Sequence, residues 1–175
     1  FTRWAKLLRN KSSIDDVKDI VNDTIAPFLK DRLSEIAAAF LNARHDLFNP
    51  GYRQRFVLSR IEETIATLCN LPIVAKEDDP SYQIEHIMPQ TPKDNNYIGY
   101  PDETAYYADV YRLGNVTLLE GSLNQAINKC HDLSANWFVD KQSVYEKSSV
   151  VMTKLLDANF MVGKNTAVNR FKSSY

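Results

Sequence analysis

Apolar positions recur at helical spacing through the first seventy residues. Ile14, Val17, Ile20, Val21 and Ile25 mark one such run. Ser13 is placed to cap it, and Asp15 and Asp16 sit in its first turn, where the helix dipole favours anions. The pattern predicts helix over 14–46, broken or kinked at Pro27, with Leu33, Ile36, Ala37, Phe40 and Leu41 on the second piece. Asn49-Pro50-Gly51 reads as a stop. A third helix is predicted at about 52–70, with Phe56, Val57, Ile61, Ile65 and Leu68 on one stripe. Arg53, Arg55 and Arg60 lie on its other face, read as solvated, with a phosphate-facing surface as the alternative.

The texture changes at Pro80. Tyr82, Ile84 and the residues around Ile87 predict a short strand ending at Pro89. Residues 90–112 are rich in Pro, Asn, Asp and Tyr and read as a long loop, a length that is uncommon without a function. Arg112-Leu113-Gly114-Asn115 is a turn, and Val116-Thr117-Leu118-Leu119 a second strand. Gly121-Ser122 opens a helix carrying Asn124, Gln125, Asn128 and Lys129. The remainder reads as helix in one or two pieces, including Trp137, Phe138, Val144, Tyr145, Val150, Val151, Leu155 and Leu156. The tail after Phe160 is polar and expected to fray.

Composition bounds the class. A chain of 175 residues with 44% hydrophobic and 25% charged positions suits one soluble globular domain that needs no staple. No apolar run approaches the roughly 18–20 residues of a membrane span. Cys69 and Cys130 are isolated, which argues against a disulfide scaffold or zinc knuckle and points to a reducing, cytoplasmic compartment. The first residue is Phe1, so the chain is expected to be a fragment of a longer protein.

Charge changes the picture more than composition does. The net charge of −1 is not that of a free-standing nucleic-acid binder. Residues 1–75 balance to +2, residues 76–123 to −6 and residues 124–175 to +3. Much of the acidic middle is turn, as in Lys76-Glu77-Asp78-Asp79-Pro80 and Pro101-Asp102-Glu103. The sharper expectation is that some of these acids hold a divalent cation. A domain so nearly neutral is expected to hold DNA weakly, with modest salt dependence.

Polar residues of unusual type cluster in the strand–loop–strand–helix part. Glu85 lies between apolar Ile84 and Ile87, so its surroundings are partly dry and its carboxylate needs a partner. The adjacent His86 has an ordinary pKa near 6.5, suited to taking a proton from water. Asn115 opens the second strand, and Asn124 and Asn128 lie one turn apart on the helix. Carboxylate, amide oxygen and water suit magnesium or manganese. The bland alternatives are a turn role for Asn115 and a solvated helix face for Asn124 and Asn128. His45 and His131 have no partners in sequence and read as structural. Tyr97, Tyr100, Tyr106, Tyr107 and Tyr111 read as loop anchors, with base stacking as the minor alternative.

These residues resemble the HNH, or ββα-metal, nuclease motif. Glu85-His86-Ile87-Met88-Pro89-Gln90 resembles the end of its first strand, and Asn115-Val116-Thr117-Leu118-Leu119 its second. Asn124 stands nine residues after Asn115, the spacing of the family's helix residue. The Leu-Gly-Asn-x-Thr-Leu-Leu stretch and the Asn-x-x-x-Asn-Lys helix are similar to the C-terminal nuclease domain of GmrSD-type restriction enzymes and related phage-defence proteins. Arg60-Ile61-Glu62 before the motif, and Lys141, Tyr145 and Ser148 after it, fit the same pattern. The likeness covers about residues 52–150.

The resemblance implies a mainly α fold with a small ββα-metal (HNH) core, with helices packed on both sides of a short two-stranded β element. It implies a single domain over 1–175: a helical part over 1–75, the core over about 80–131, C-terminal helices over 132–160 and a polar tail over 161–175. It implies a metal-dependent DNA endonuclease or nicking domain of a restriction or anti-phage defence protein. His86 resembles the base that activates water, and Asn115 the residue that orients the motif loop. Glu85 and Asn124 resemble metal ligands, with Mg²⁺ expected and Mn²⁺ as the alternative. Asn128 and Lys141 are expected around the metal or against a phosphate. The expected partners are phage or modified DNA and an N-terminal sensor or NTPase-like domain. No Gly-rich phosphate loop is present in the chain, so no nucleotide cofactor is expected. The sequence departs from the family at several points. The 29 residues from His86 to Asn115 include an insertion, the Trp frequent in that loop is missing, and Asn rather than His at 124 disfavours zinc. Two readings compete: an inactive helical module binding DNA or protein through a degenerate HNH core, and a metal-dependent RNase.

Overall fold

The computed structural model describes residues 2–9, 11–97, 99–127 and 136–162. The protein is mostly helical with one two-stranded antiparallel sheet. It divides into two compact units, residues 1–42 and 43–175.

The first unit holds α1 (Thr2–Arg9), α2 (Ile14–Ile20), α3 (Ala26–Asp31) and α4 (Leu33–Leu41). Ser13 caps α2, its hydroxyl accepting from the Asp16 N–H at 3.0 Å. The expected break at Pro27 is milder than a break. Val21–Ile25 forms a π-helical turn that leads directly into α3, with Pro27 in its first turn. Widening the helix there accommodates a residue that has no N–H to give and a ring that crowds the preceding turn. α2, α3 and α4 bury no residue, and Ile14, Leu33, Phe40 and Leu41 of the predicted apolar runs are exposed.

The second unit opens with a 3₁₀ turn at His45–Phe48 and α5 (Gly51–Leu68). There follow β1 (Tyr82–His86), α6 (Glu103–Val110), β2 (Val116–Glu120), α7 (Gly121–Ile127), α8 (Trp137–Tyr145) and α9 (Val151–Lys154). The strands pair with Ile84 opposite Leu118 and Glu85 opposite Thr117. Side chains alternate across the sheet, so both faces are covered by different groups. On one face Ile84, Val116 and Leu118 pack with Leu58 of α5. On the other, Leu119 packs with Ile127 of α7 and Tyr145 of α8. Leu118 and Leu119 are 1% and 0% exposed, and burying each contributes about 2–3 kcal/mol.

Two expectations need correction. The buried face of α5 is Gln54, Leu58, Ser59, Glu62 and Ala66, while Phe56 and Leu68 of the predicted stripe are exposed. Polar side chains occupy the inner face because they satisfy backbone groups there. Gln54 Nε2 donates to the His45 carbonyl, and Glu62 accepts the N–H groups of Val151 and Met152 at 2.9 and 2.8 Å. Glu62 thereby caps α9 from another helix, and burial still pushes its pKa up despite those two bonds. The 90–112 segment, expected as loop throughout, contains α6. Asp102 caps that helix, its carboxylate accepting from the Ala105 N–H at 2.8 Å.

Candidate active site

The site is built on the end of β1. Asn115, just before β2, clamps the turn that follows His86. Its carbonyl accepts from the Ile87 N–H at 2.9 Å, and its Oδ1 accepts from the Met88 N–H at 2.7 Å. Its Nδ2 donates to the carbonyls of Met88 at 3.1 Å and Val110 at 2.9 Å. α6 holds the same turn as well, since Tyr106 donates its hydroxyl proton to the Pro89 carbonyl at 2.6 Å. Tyr97, Tyr100 and Tyr107 surround Tyr106 and Val110, so these tyrosines pack and anchor. Neighbouring strand residues ordinarily face opposite ways. Here the strand stops at His86, and Glu85 and His86 both line one cleft of about 250 Å³, with Pro89, Gln90, Thr91, Asn124 and Lys141.

Glu85 is buried and does not stand alone. Lys141 of α8 donates from Nζ to Glu85 Oε1 at 2.7 Å and to the His86 carbonyl, also at 2.7 Å. Tyr145, one turn along α8, donates to the same Oε1 at 3.1 Å. The charge pair is desolvated, with side chains 4% and 7% exposed. Lys141, expected around a metal or phosphate, thus reaches the cleft through Glu85.

His86 Nε2 is buried without a hydrogen-bond partner among the described residues. Burial, then the neighbouring His45 and Lys141, push the His86 pKa down to about 4, so the ring is neutral near pH 7. His45 lies edge-on to it, with ring centroids 5.0 Å apart. It is held there through its backbone: its N–H donates to the Tyr111 carbonyl at 2.9 Å, and its carbonyl accepts from Gln54 at 2.8 Å. Burial lowers the His45 pKa as well.

Asn124 reaches the cleft from the first turns of α7. Its Nδ2 donates to Gln83 Oε1 at 2.9 Å, while its Oδ1 is buried without a hydrogen-bond partner among the described residues. Asn128 lies outside the described residues, as do Cys130 and His131. Glu85, His86, Asn124 and Lys141 therefore meet at one cleft, and Asn115 supports the turn beside it. No group of three or more His, Cys, Asp or Glu residues is arranged for a metal ion among the described residues. Ser148, grouped with Lys141 and Tyr145 in sequence, instead donates to Glu120 at 2.8 Å and helps carry the α8–α9 turn.

Sequence reasoning missed Gln83, and it read Tyr106 as a loop anchor and His45 as structural without finding their partners. Gln83 stands two residues before Glu85, on the same strand face, and that period of two was its available signal. His45 and Tyr106 carry no local signal, because their partners are 41 and 17 residues away.

No helix among the described residues is long and apolar enough to cross a membrane. Neither a curated protein nor a solved structure matches the chain. Residues 32–170 match the family of GmrSD restriction endonucleases, C-terminal domain, and that match takes in α5, both strands and every residue of the cleft. The chain belongs to this family of restriction-endonuclease domains.

Proposed function

We propose that the chain is a metal-dependent DNA endonuclease or nicking domain of the HNH type, serving a restriction or anti-phage defence protein. The observation that carries this reading is a pair of buried polar atoms without hydrogen-bond partners among the described residues. His86 Nε2 and Asn124 Oδ1 are both buried, both lack hydrogen bonds among the described residues, and both belong to the cleft that Glu85 lines. A buried polar atom left unpaired is costly, and two of them at one cleft point to a group that satisfies them in the working state. A neutral amide oxygen beside a carboxylate suits a hard cation such as Mg²⁺ or Mn²⁺. Glu85 and Asn124 would hold it, with water completing the shell. The order β1, β2, α7 supplies these residues as an HNH core does.

The residues divide the work. His86, neutral near pH 7, takes a proton from water at Nε2 as the water oxygen attacks phosphorus in line with the departing sugar oxygen. Asn115 and Tyr106 fix the turn that aims His86. Lys141 and Tyr145 hold Glu85 by one oxygen and fix its orientation. A bound cation would neutralise charge developing on the phosphate and leaving oxygen.

One observation favours a different reading. The Lys141 ammonium already balances Glu85, which weakens that carboxylate as a ligand and suits a module that binds without cutting. Plasmid cleavage with Mg²⁺ or Mn²⁺ by the purified chain separates the two. The nuclease reading predicts cleavage that His86→Ala reduces about 10²–10⁴-fold. Parallel incubation with matched RNA and DNA identifies the substrate, and preferential RNA cleavage would replace the DNA assignment.

A further inference from the structure

Asn124 can present either its oxygen or its NH₂ group to the cleft, and only the oxygen is a ligand. Gln83 of β1 engages one of these two ends. Gln83 Oε1 accepts from Asn124 Nδ2 at 2.9 Å, which engages the NH₂ end and leaves Oδ1 buried without a hydrogen-bond partner among the described residues. Gln83 precedes Glu85 by two residues, so one strand face carries both the carboxylate and the group that sets the amide.

A second observation concerns how closely α7 approaches that strand. Gly121, the first residue of α7, gives its N–H to the Ser81 carbonyl at 2.9 Å. A Cβ at position 121 would stand 3.3 Å from Gln83 Nε2 and 3.6 Å from its Cδ. Only a residue without a side chain leaves the Gln83 amide its present position without a shift. The contact between Gly121 and Gln83 brings Asn124, one turn along α7, within reach of Gln83 Oε1.

We propose that Gln83 is a positioning residue of the site, holding the Asn124 amide with its oxygen toward the bound cation. The proposal rests on the reading of Asn124 as a ligand. Groups that orient metal ligands typically carry 10–100-fold of affinity or activity. Gln83→Leu removes the acceptor, whereas Gln83→Glu keeps an acceptor of nearly the same shape.

The test uses the full chain with circular dichroism as a check on folding. In amide NMR, one Asn124 Nδ2 proton of the wild type is expected to exchange slowly with water. Gln83→Leu should lose this protection, and Gln83→Glu should keep it. Mn²⁺ affinity, read by electron paramagnetic resonance, should fall 10–100-fold in Gln83→Leu and recover in Gln83→Glu. In cleavage assays Gln83→Leu should lower kcat more than it raises KM, and should add nothing when Asn124 is already Ala. Gly121→Ala should produce a smaller loss in the same direction. Unchanged amide protection and Mn²⁺ affinity in a folded Gln83→Leu would overturn the proposal. So would an equal further loss in the Asn124→Ala background. Should His86→Ala cut as well as wild type, the assignment of His86 as the base fails, while the amide signal still reports whether Gln83 sets Asn124.

Discussion

Lys141 Nζ lies 2.7 Å from Glu85 Oε1, and the two side chains are almost wholly removed from solvent. Removing one partner of such a pair leaves an uncompensated charge in a dry site, which costs about 3–5 kcal/mol. Lys141→Met is therefore expected to lower unfolding stability by about that amount. The double variant Lys141→Met/Glu85→Gln should recover much of the loss, because no buried charge remains. Urea denaturation measures both. A Lys141→Met protein within about 1 kcal/mol of wild type would mean that water reaches Glu85 and screens it.

Asn115 makes three side-chain hydrogen bonds to the backbone of Met88 and Val110 from a buried position. Each contributes about 1 kcal/mol net, and the stranded backbone groups add to the cost of losing them. Asn115→Ala should cost about 3 kcal/mol or more by the same measurement. Asn115→Asp retains the acceptor for the Met88 N–H but loses both donors, so it should fall well short of rescue. Cleavage by either variant, assayed below its own unfolding midpoint, should still be depressed because the turn that aims His86 is loosened.

Glu62 supports the start of α9. Both its oxygens accept backbone N–H groups of the first turn of α9, and its side chain is fully buried. Glu62→Gln keeps the shape but leaves one of those N–H groups facing an NH₂ group. It should cost about 1–3 kcal/mol, and Glu62→Ala should cost more because a cavity is added. Neither change touches the cleft, so kcat at a temperature where the protein is folded should hold.

The depressed pKa of His86 sets a sign for pH dependence. The folded value is about 4 and the ordinary value 6.5, so the unfolded chain takes up its proton first as pH falls. Stability linked to His86 is therefore full above about pH 6.5 and is lost progressively down to about pH 4. At the exchange rate of 1.36 kcal/mol per pKa unit, the loss amounts to about 3 kcal/mol at most. His45, lowered by burial, adds a slope of the same sign. Comparing urea midpoints at pH 7 and pH 5, wild type should lose more stability than His86→Gln. An equal loss in both would show that His86 titrates normally in the folded protein.

The strands and the residues around them were legible because their signals are local. Glu85-His86, the apolar run after Asn115 and the nine-residue step to Asn124 lie within elements whose patterns read directly. β2 and the opening of α7 fall where those patterns place them, and β1 begins at Tyr82 as expected but ends at His86, short of the expected end at Pro89. The turn at Asn115 read locally, its orienting role was implied by the family resemblance alone, and the structure shows its partners. α6 was hidden because its tyrosines and flanking prolines resemble loop composition, although Asp102 before Glu103 is a cap signal. The true inner face of α5 was hidden because Gln54 and Glu62 are buried for backbone partners that lie 9 and 89 residues away. The same distance hid the contact of His45 with His86: pairing of that kind is set by tertiary packing, which a single sequence does not display.

The assignment of His86 as the base of a metal-dependent nuclease is tested by plasmid cleavage. Supercoiled plasmid is incubated with the full chain and Mg²⁺ or Mn²⁺, alongside His86→Ala and a metal-chelated control, with folding of the variant verified. Nicked or linear DNA is expected from wild type, abolished by chelation and reduced about 10²–10⁴-fold by His86→Ala if His86 is that base. Cleavage by a folded His86→Ala at the wild-type rate, or cleavage undiminished by chelation, would contradict that assignment.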